Sequence, residues 1–73
     1  MKILLIDDDI DLTRLIKNTL KKEYEVDIFN DASIIDPNVL NEYDLIILDI
    51  MMPNMDGFEF LGKYRDMIDV PIL

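Results

Sequence analysis

Asp44-Leu45-Ile46-Ile47-Leu48-Asp49 is the stretch on which the fold turns. Its apolar residues run unbroken between two acids, with neither alternation nor helical spacing. A short run of that kind suits a strand buried on both faces, as in a parallel sheet covered by helices. The chain opens on the same pattern, Lys2-Ile3-Leu4-Leu5-Ile6-Asp7, followed by Asp8 and Asp9. Two core-type strands that each end in aspartate therefore define the centre of a sheet.

Between them, Leu12, Leu15, Ile16 and Leu20 recur at helical spacing, with Asp11, Arg14, Lys17 and Lys21 on the other side. Asp9 is the expected N-cap, and Lys21 and Lys22 stand where the negative end of the helix dipole favours cations. Tyr24, Val26 and Ile28 then alternate with Glu25, Asp27 and Phe29, which reads as a strand at a sheet edge. Between Asn30 and Asn41 a short helix is expected, with Asp36 as cap and Pro37 in its first turn. Residues 50–56 read as a loop containing Pro53, and Asp56-Gly57 starts a further helix. Its expected apolar side is Phe58, Leu61, Tyr64 and Ile68; Gly62 within it costs about 1 kcal/mol relative to Ala. Val70-Pro71-Ile72-Leu73 reads as the start of a fourth strand.

Alternating strands and helices of this kind give an α/β domain with a doubly wound parallel sheet. Core-type first and third strands and an edge-type second imply the spatial order 2-1-3-4, the last strand being incomplete. Right-handed crossovers then place the first helix on one face and the next two on the other. The switch point between strands 1 and 3, at their carboxyl ends, is where open α/β sheets bind ligands. Asp7 and Asp49 stand there.

Composition narrows the chemistry. The chain has 73 residues, 51% of them hydrophobic, which is one small globular domain spanning 1–73. It has no Cys and no His, so thiolate or imidazole zinc sites, disulfides, Cys nucleophiles and His bases are excluded from it. With 16 acidic against 7 basic residues the net charge is −9, which opposes direct DNA binding and anionic membranes and favours cations and basic partners. The apolar run at the N-terminus is too short for a signal peptide core or a membrane span, and a cytoplasmic location is expected.

Acids at the ends of neighbouring parallel strands, about 4.8 Å apart, must share one pocket. Two carboxylates about 4 Å apart repel by roughly 4 kcal/mol at an effective dielectric of about 20. Folding alone does not favour that clustering, whereas Mg²⁺, bound through carboxylates, waters and phosphate oxygens, does. Asp9 needs no such explanation, since a helix cap accounts for it.

Lys-Ile-Leu-Leu-Ile-Asp-Asp-Asp over 2–9, followed by Asp-Leu-Ile-Ile-Leu-Asp-Ile-Met-Met-Pro-Asn-Met-Asp-Gly-Phe-Glu over 44–59, resembles the receiver domains of two-component response regulators. The resemblance extends along the whole chain. It implies a partial flavodoxin-like fold and a phosphoacceptor module rather than an enzyme. Asp49 matches the residue that takes a phosphoryl group from the phosphohistidine of a sensor histidine kinase. Asp7 and Asp8 match the acid pair that holds Mg²⁺, and the backbone carbonyl of Met51 matches the main-chain metal ligand. Pro53 and Gly57 match the loop that shapes the pocket and starts the third helix. A carboxylate is a competent nucleophile for such a transfer, in which catalysis is mainly positioning and charge neutralisation.

A complete receiver has five strands, and against that pattern this sequence ends within the fourth. The family's switch Ser or Thr and its phosphoryl-binding Lys have no counterpart here, nor has an output domain. An exposed sheet edge would then favour a homo-oligomer, and an interaction module that is not phosphorylated is the alternative reading. Two rivals fit less well. A phosphatase with an Asp-x-Asp loop would use Asp7 and Asp9, but Asp11 stands where Thr or Val is expected. A calcium loop on Asp7, Asp9 and Asp11 lacks its glycine, and helical periodicity begins at once.

Overall fold

In the computed structural model, which describes residues 1–49 and 56–73, the opening apolar run is strand β1, Lys2–Ile6. β2 is Glu25–Phe29 and β3 is Leu45–Leu48; all pair in parallel in the order β2-β1-β3. The register sets Ile3 against Val26 on one side and Leu45 on the other, and Ile6 against Phe29 and Leu48. Central position explains the lack of alternation in β1, since Ile3, Leu4, Leu5 and Ile6 are all buried. Each such side chain contributes roughly 1.5–3 kcal/mol of burial. The C-terminal residues continue the sheet as expected: Ile46 forms a parallel bridge with Ile72, Ile46 N–H donates to Pro71 O at 3.0 Å, and Leu73 N–H donates to Ile46 O at 2.8 Å. The fourth position is thus occupied beside β3 by a single bridge.

Helix α1, Ile10–Leu20, starts where the Asp9 carboxylate accepts from Leu12 N–H at 2.9 Å, and it closes at Lys21. It covers one face of the sheet, where Ile16, Leu20 and Tyr24 pack on Ile3, Leu5 and Val26. The opposite face carries the larger core, in which Leu4, Ile6 and Ile46 meet Ala32, Ile35, Leu40, Tyr43, Phe60 and Tyr64. One helix on one face and everything else on the other is the arrangement that right-handed crossovers require.

Three sequence expectations are corrected. The short helix after β2 is two 3₁₀-helical turns, Ala32–Ile34 and Pro37–Glu42, separated by extended Ile35 and Asp36. Pro37 has no N–H and disfavours a helical residue before it. The Asp31 and Asp36 carboxylates cap the two turns by accepting from Ser33 N–H and Asn38 N–H, each at 2.9 Å. On α1 the buried residue is Thr13, whereas Leu12 and Leu15 are exposed. Helix α2, Gly57–Tyr64, is capped by Asp56, which accepts from Glu59 N–H at 2.8 Å, and runs into a 3₁₀ turn over Arg65–Met67. It buries Phe60 and Tyr64, edge to face with centroids 5.2 Å apart, and leaves Phe58 68% exposed. Asn41 ties this segment back to the preceding one: its Nδ2 donates to Met67 O and its Oδ1 accepts from Asp69 N–H, both at 2.8 Å.

Candidate metal centre and phosphoacceptor site

The sheet itself carries both terminal acids to the same edge. Asp7 N–H donates to Phe29 O at 3.1 Å and Asp49 N–H donates to Ile6 O at 2.8 Å. Each aspartate therefore extends its strand's ladder by one residue, and its backbone is held as firmly as the strand. The following residue, Asp8, lies on the turn into α1. One carboxylate oxygen from each of Asp7, Asp8 and Asp49 lies within 4.8 Å of the other two, with Asp7 and Asp49 half-buried and Asp8 exposed.

That proximity leaves an electrostatic signature. Asp7 holds its proton to a higher pH than an ordinary carboxyl, chiefly through burial, and then through the charge of Asp49, a hydrogen bond shared with it and the charge of Asp8. The bond from Asp9 N–H to Asp7 Oδ1, at 2.9 Å, opposes the rise. A small cavity of about 110 Å³ lies behind the carboxylates, with Leu5, Thr13, Ile16 and Ile47 among its walls.

Among the described residues the group is three carboxylate oxygens, a hard-cation set, and the mutual repulsion of the acids would be relieved by a divalent ion. The residues present fit such an ion. Asp9 is not among them: its Oδ1 accepts from Leu12 N–H as the helix cap. Gly57 begins α2 and is buried. The Met51 carbonyl and Pro53 lie outside the described residues.

Two polar residues that sequence reasoning did not single out stand beside the acids. Asn30 Nδ2 donates to Asp7 O at 2.8 Å and to Thr13 Oγ1 at 3.2 Å. Their signals are weak in sequence: an Asn just after a strand, and a Thr one turn into an amphipathic helix.

This arrangement has close parallels. The chain is 45% identical over 73 residues to the transcriptional regulatory protein SpaR of Bacillus subtilis, covering 99% of this chain and 33% of SpaR. It is 39% identical over 74 residues to the nisin biosynthesis regulatory protein NisR of Lactococcus lactis, covering 99% and 32%. The chain thus spans about a third of the length of these curated relatives. Among solved structures it is similar to the response regulator TrrA of Thermotoga maritima in complex with Mg²⁺ and BeF, with TM-score 0.81 and 35% identity over 97% of this chain and 64% of TrrA. It is similar also to the BeF₃-activated receiver domain of RstA from Klebsiella pneumoniae, with TM-score 0.85 and 30% identity over 99% and 63%. The family model for the response regulator receiver domain matches residues 3–73. With that match, the parallel order β2-β1-β3 and the acid cluster at its switch point, the chain belongs to the receiver domains of two-component response regulators.

Proposed function

We propose that Asp49 of this chain, acting in the cytoplasm, accepts a phosphoryl group from the phosphohistidine of a sensor histidine kinase, with Mg²⁺ held by Asp7, Asp8, Asp49 and the Met51 carbonyl. The observation that carries this reading is the convergence of three carboxylates within 4.8 Å at the ends of adjacent parallel strands. Bound Mg²⁺ supplies charge that neutralises the phosphoryl oxygens. An Asp49 carboxylate oxygen forms the new bond to phosphorus as the bond to the kinase's imidazole nitrogen breaks. The electron pair leaves on that nitrogen, which is reprotonated from water. β3 holds Asp49 in place for this, because its N–H is bonded to Ile6 O. The role is that of an acceptor and not of a turnover enzyme, and the net charge of −9 argues against nucleic acid contact by this part of the protein.

The test is incubation with a small acyl phosphate and MgCl₂, followed by mass spectrometry. One phosphoryl group is expected on Asp49, absent from Asp49→Asn and absent when Mg²⁺ is chelated. Equal labelling of the Asp49→Asn chain would end the proposal.

A second reading, assembly through a sheet edge, is favoured by an open, mainly apolar groove of about 430 Å³ lined by Leu48, Leu61, Arg65, Ile68 and residues 70–73. Sedimentation settles it: a homo-oligomer is expected, and a folded chain that stays monomeric at all concentrations would remove it.

A further inference from the structure

Among the described residues Thr13 is, apart from the tyrosines, the one buried polar side chain, 1% exposed in the first turns of α1. Its hydroxyl accepts from Asn30 Nδ2 and faces two carbonyls, Asp9 O and Ile10 O, each at 3.0 Å. Asn30 follows β2 directly, and its Nδ2 carries two N–H bonds, one to Asp7 O and one to Thr13 Oγ1. A single amide therefore joins the end of β1, the end of β2 and the start of α1.

The atom it holds is the carbonyl of the peptide that links Asp7 to Asp8. The Asp8 side chain leaves the backbone from that peptide, and its carboxylate is exposed. Asp7 is aimed by other bonds, through Phe29 O and Asp9 N–H. The turn carrying Asp8 thus depends on the Asn30 bond at one end and, at the other, on the Asp9 carbonyl, which accepts from both Thr13 N–H and the Thr13 hydroxyl.

We propose that Asn30 and Thr13 are positioning residues for the metal site, fixing the Asp7–Asp8 peptide so that the Asp8 carboxylate converges on those of Asp7 and Asp49. The inference rests on the reading of the three acids as a metal site. Partners of this kind, one bond removed from the ligands, typically change metal affinity by about 10–100-fold when lost.

MgCl₂ alone is the probe. It is titrated into the ¹⁵N-labelled chain and into Asn30→Ala, Thr13→Val, Thr13→Ser and Asn41→Ala, with amide shifts giving Kd and thermal unfolding followed in parallel. Asn30→Ala and Thr13→Val are expected to weaken Mg²⁺ binding by about tenfold, and Thr13→Ser, which keeps the hydroxyl, to restore it. Asn41→Ala removes two hydrogen bonds far from the acids and serves as the control for general loosening. Wild-type affinity in folded Asn30→Ala, or an equal loss in Asn41→Ala, overturns the positioning role. If Asn30→Ala does not fold, the Val and Ser pair at Thr13 decides by the same criterion. A wild-type chain without localised shifts at Asp7, Asp8 and Asp49 overturns the metal reading itself, a result distinct from either.

Discussion

Replacing Asp49 by Asn removes one charge from the cluster and keeps its shape, and it is expected to stabilise the metal-free chain. Asp7 and Asp49 present oxygens within 4.8 Å. At that separation the pair repels by about 3.5 kcal/mol at an effective dielectric of about 20, and by about 1 kcal/mol at that of water. Both groups are only half-buried, so the screened end of that range applies, and a gain of about 1 kcal/mol is expected. The new amide can also donate to the Asp7 carboxylate where a like charge stood before, and the Asp49 backbone bond to Ile6 O is untouched. For a domain of this size about 1 kcal/mol corresponds to a rise in Tm of about 4–8 °C. Thermal unfolding in a chelator at low salt and neutral pH measures it. The pH dependence has a definite sign. The folded-state pKa of Asp7 lies above its value of 3.8 in a free chain, so the stability linked to its proton is present below 3.8 and lost as pH rises through the raised value. Removing Asp49 takes away one cause of that rise, so the variant's advantage shrinks as the pH falls and Asp7 is neutralised. On the metal site proposed above, adding Mg²⁺ is expected to change the order, because wild type would gain RT ln(1 + [Mg²⁺]/Kd) and the variant would lack one proposed ligand. A metal-free Asp49→Asn chain no more stable than wild type would refute the electrostatic reasoning, whatever its phosphorylation.

Phe60→Ala should cost about 3–5 kcal/mol, enough to unfold so small a domain, whereas Phe58→Ala should change stability by less than about 0.5 kcal/mol; urea denaturation separates the two. Tyr43 is buried and donates to Asp27 Oδ2 at 2.7 Å; burial first, and then that bond and the Asp27 charge, push its hydroxyl up to about 12 from 10.0. Its contribution is therefore complete below pH 10 and lost as pH rises through about 12, and Tyr43→Phe should flatten the alkaline limb of a stability–pH curve. Asn41→Ala should cost about 1–2 kcal/mol from its two exposed bonds, read by urea denaturation, and leave Mg²⁺ affinity unchanged.

Much of the site was legible in the sequence because backbone ladders build it. A strand that ends at Ile6 and a neighbour that ends at Leu48 put the next residue of each, Asp7 and Asp49, side by side. Strand burial on both faces is visible as an unbroken apolar run, and caps at Asp9, Asp36 and Asp56 are visible as local chemistry. The helix faces were less legible. On α1 the series Leu12, Leu15, Ile16 and Leu20 and the series Thr13, Ile16 and Leu20 both have helical spacing, and apolarity favours the first. The sheet takes the second, rotating the helix so that Thr13 meets Asn30. On α2 the same ambiguity separates Phe58 from Phe60.

By itself the sequence determined the alternation of strands and helices and the caps at Asp9 and Asp36, which follow from periodicity and near-neighbour bonds, and it placed the three acids at one edge through the general rules that order strands in a parallel α/β sheet. Only the tertiary structure decided which side of each helix is buried, how the segment after β2 breaks into two 3₁₀ turns, and that Asn30 spans β1, β2 and α1. Those outcomes depend on contacts between residues distant in the chain. Asn30 and Asp7 are 23 positions apart, and no local pattern records that they meet.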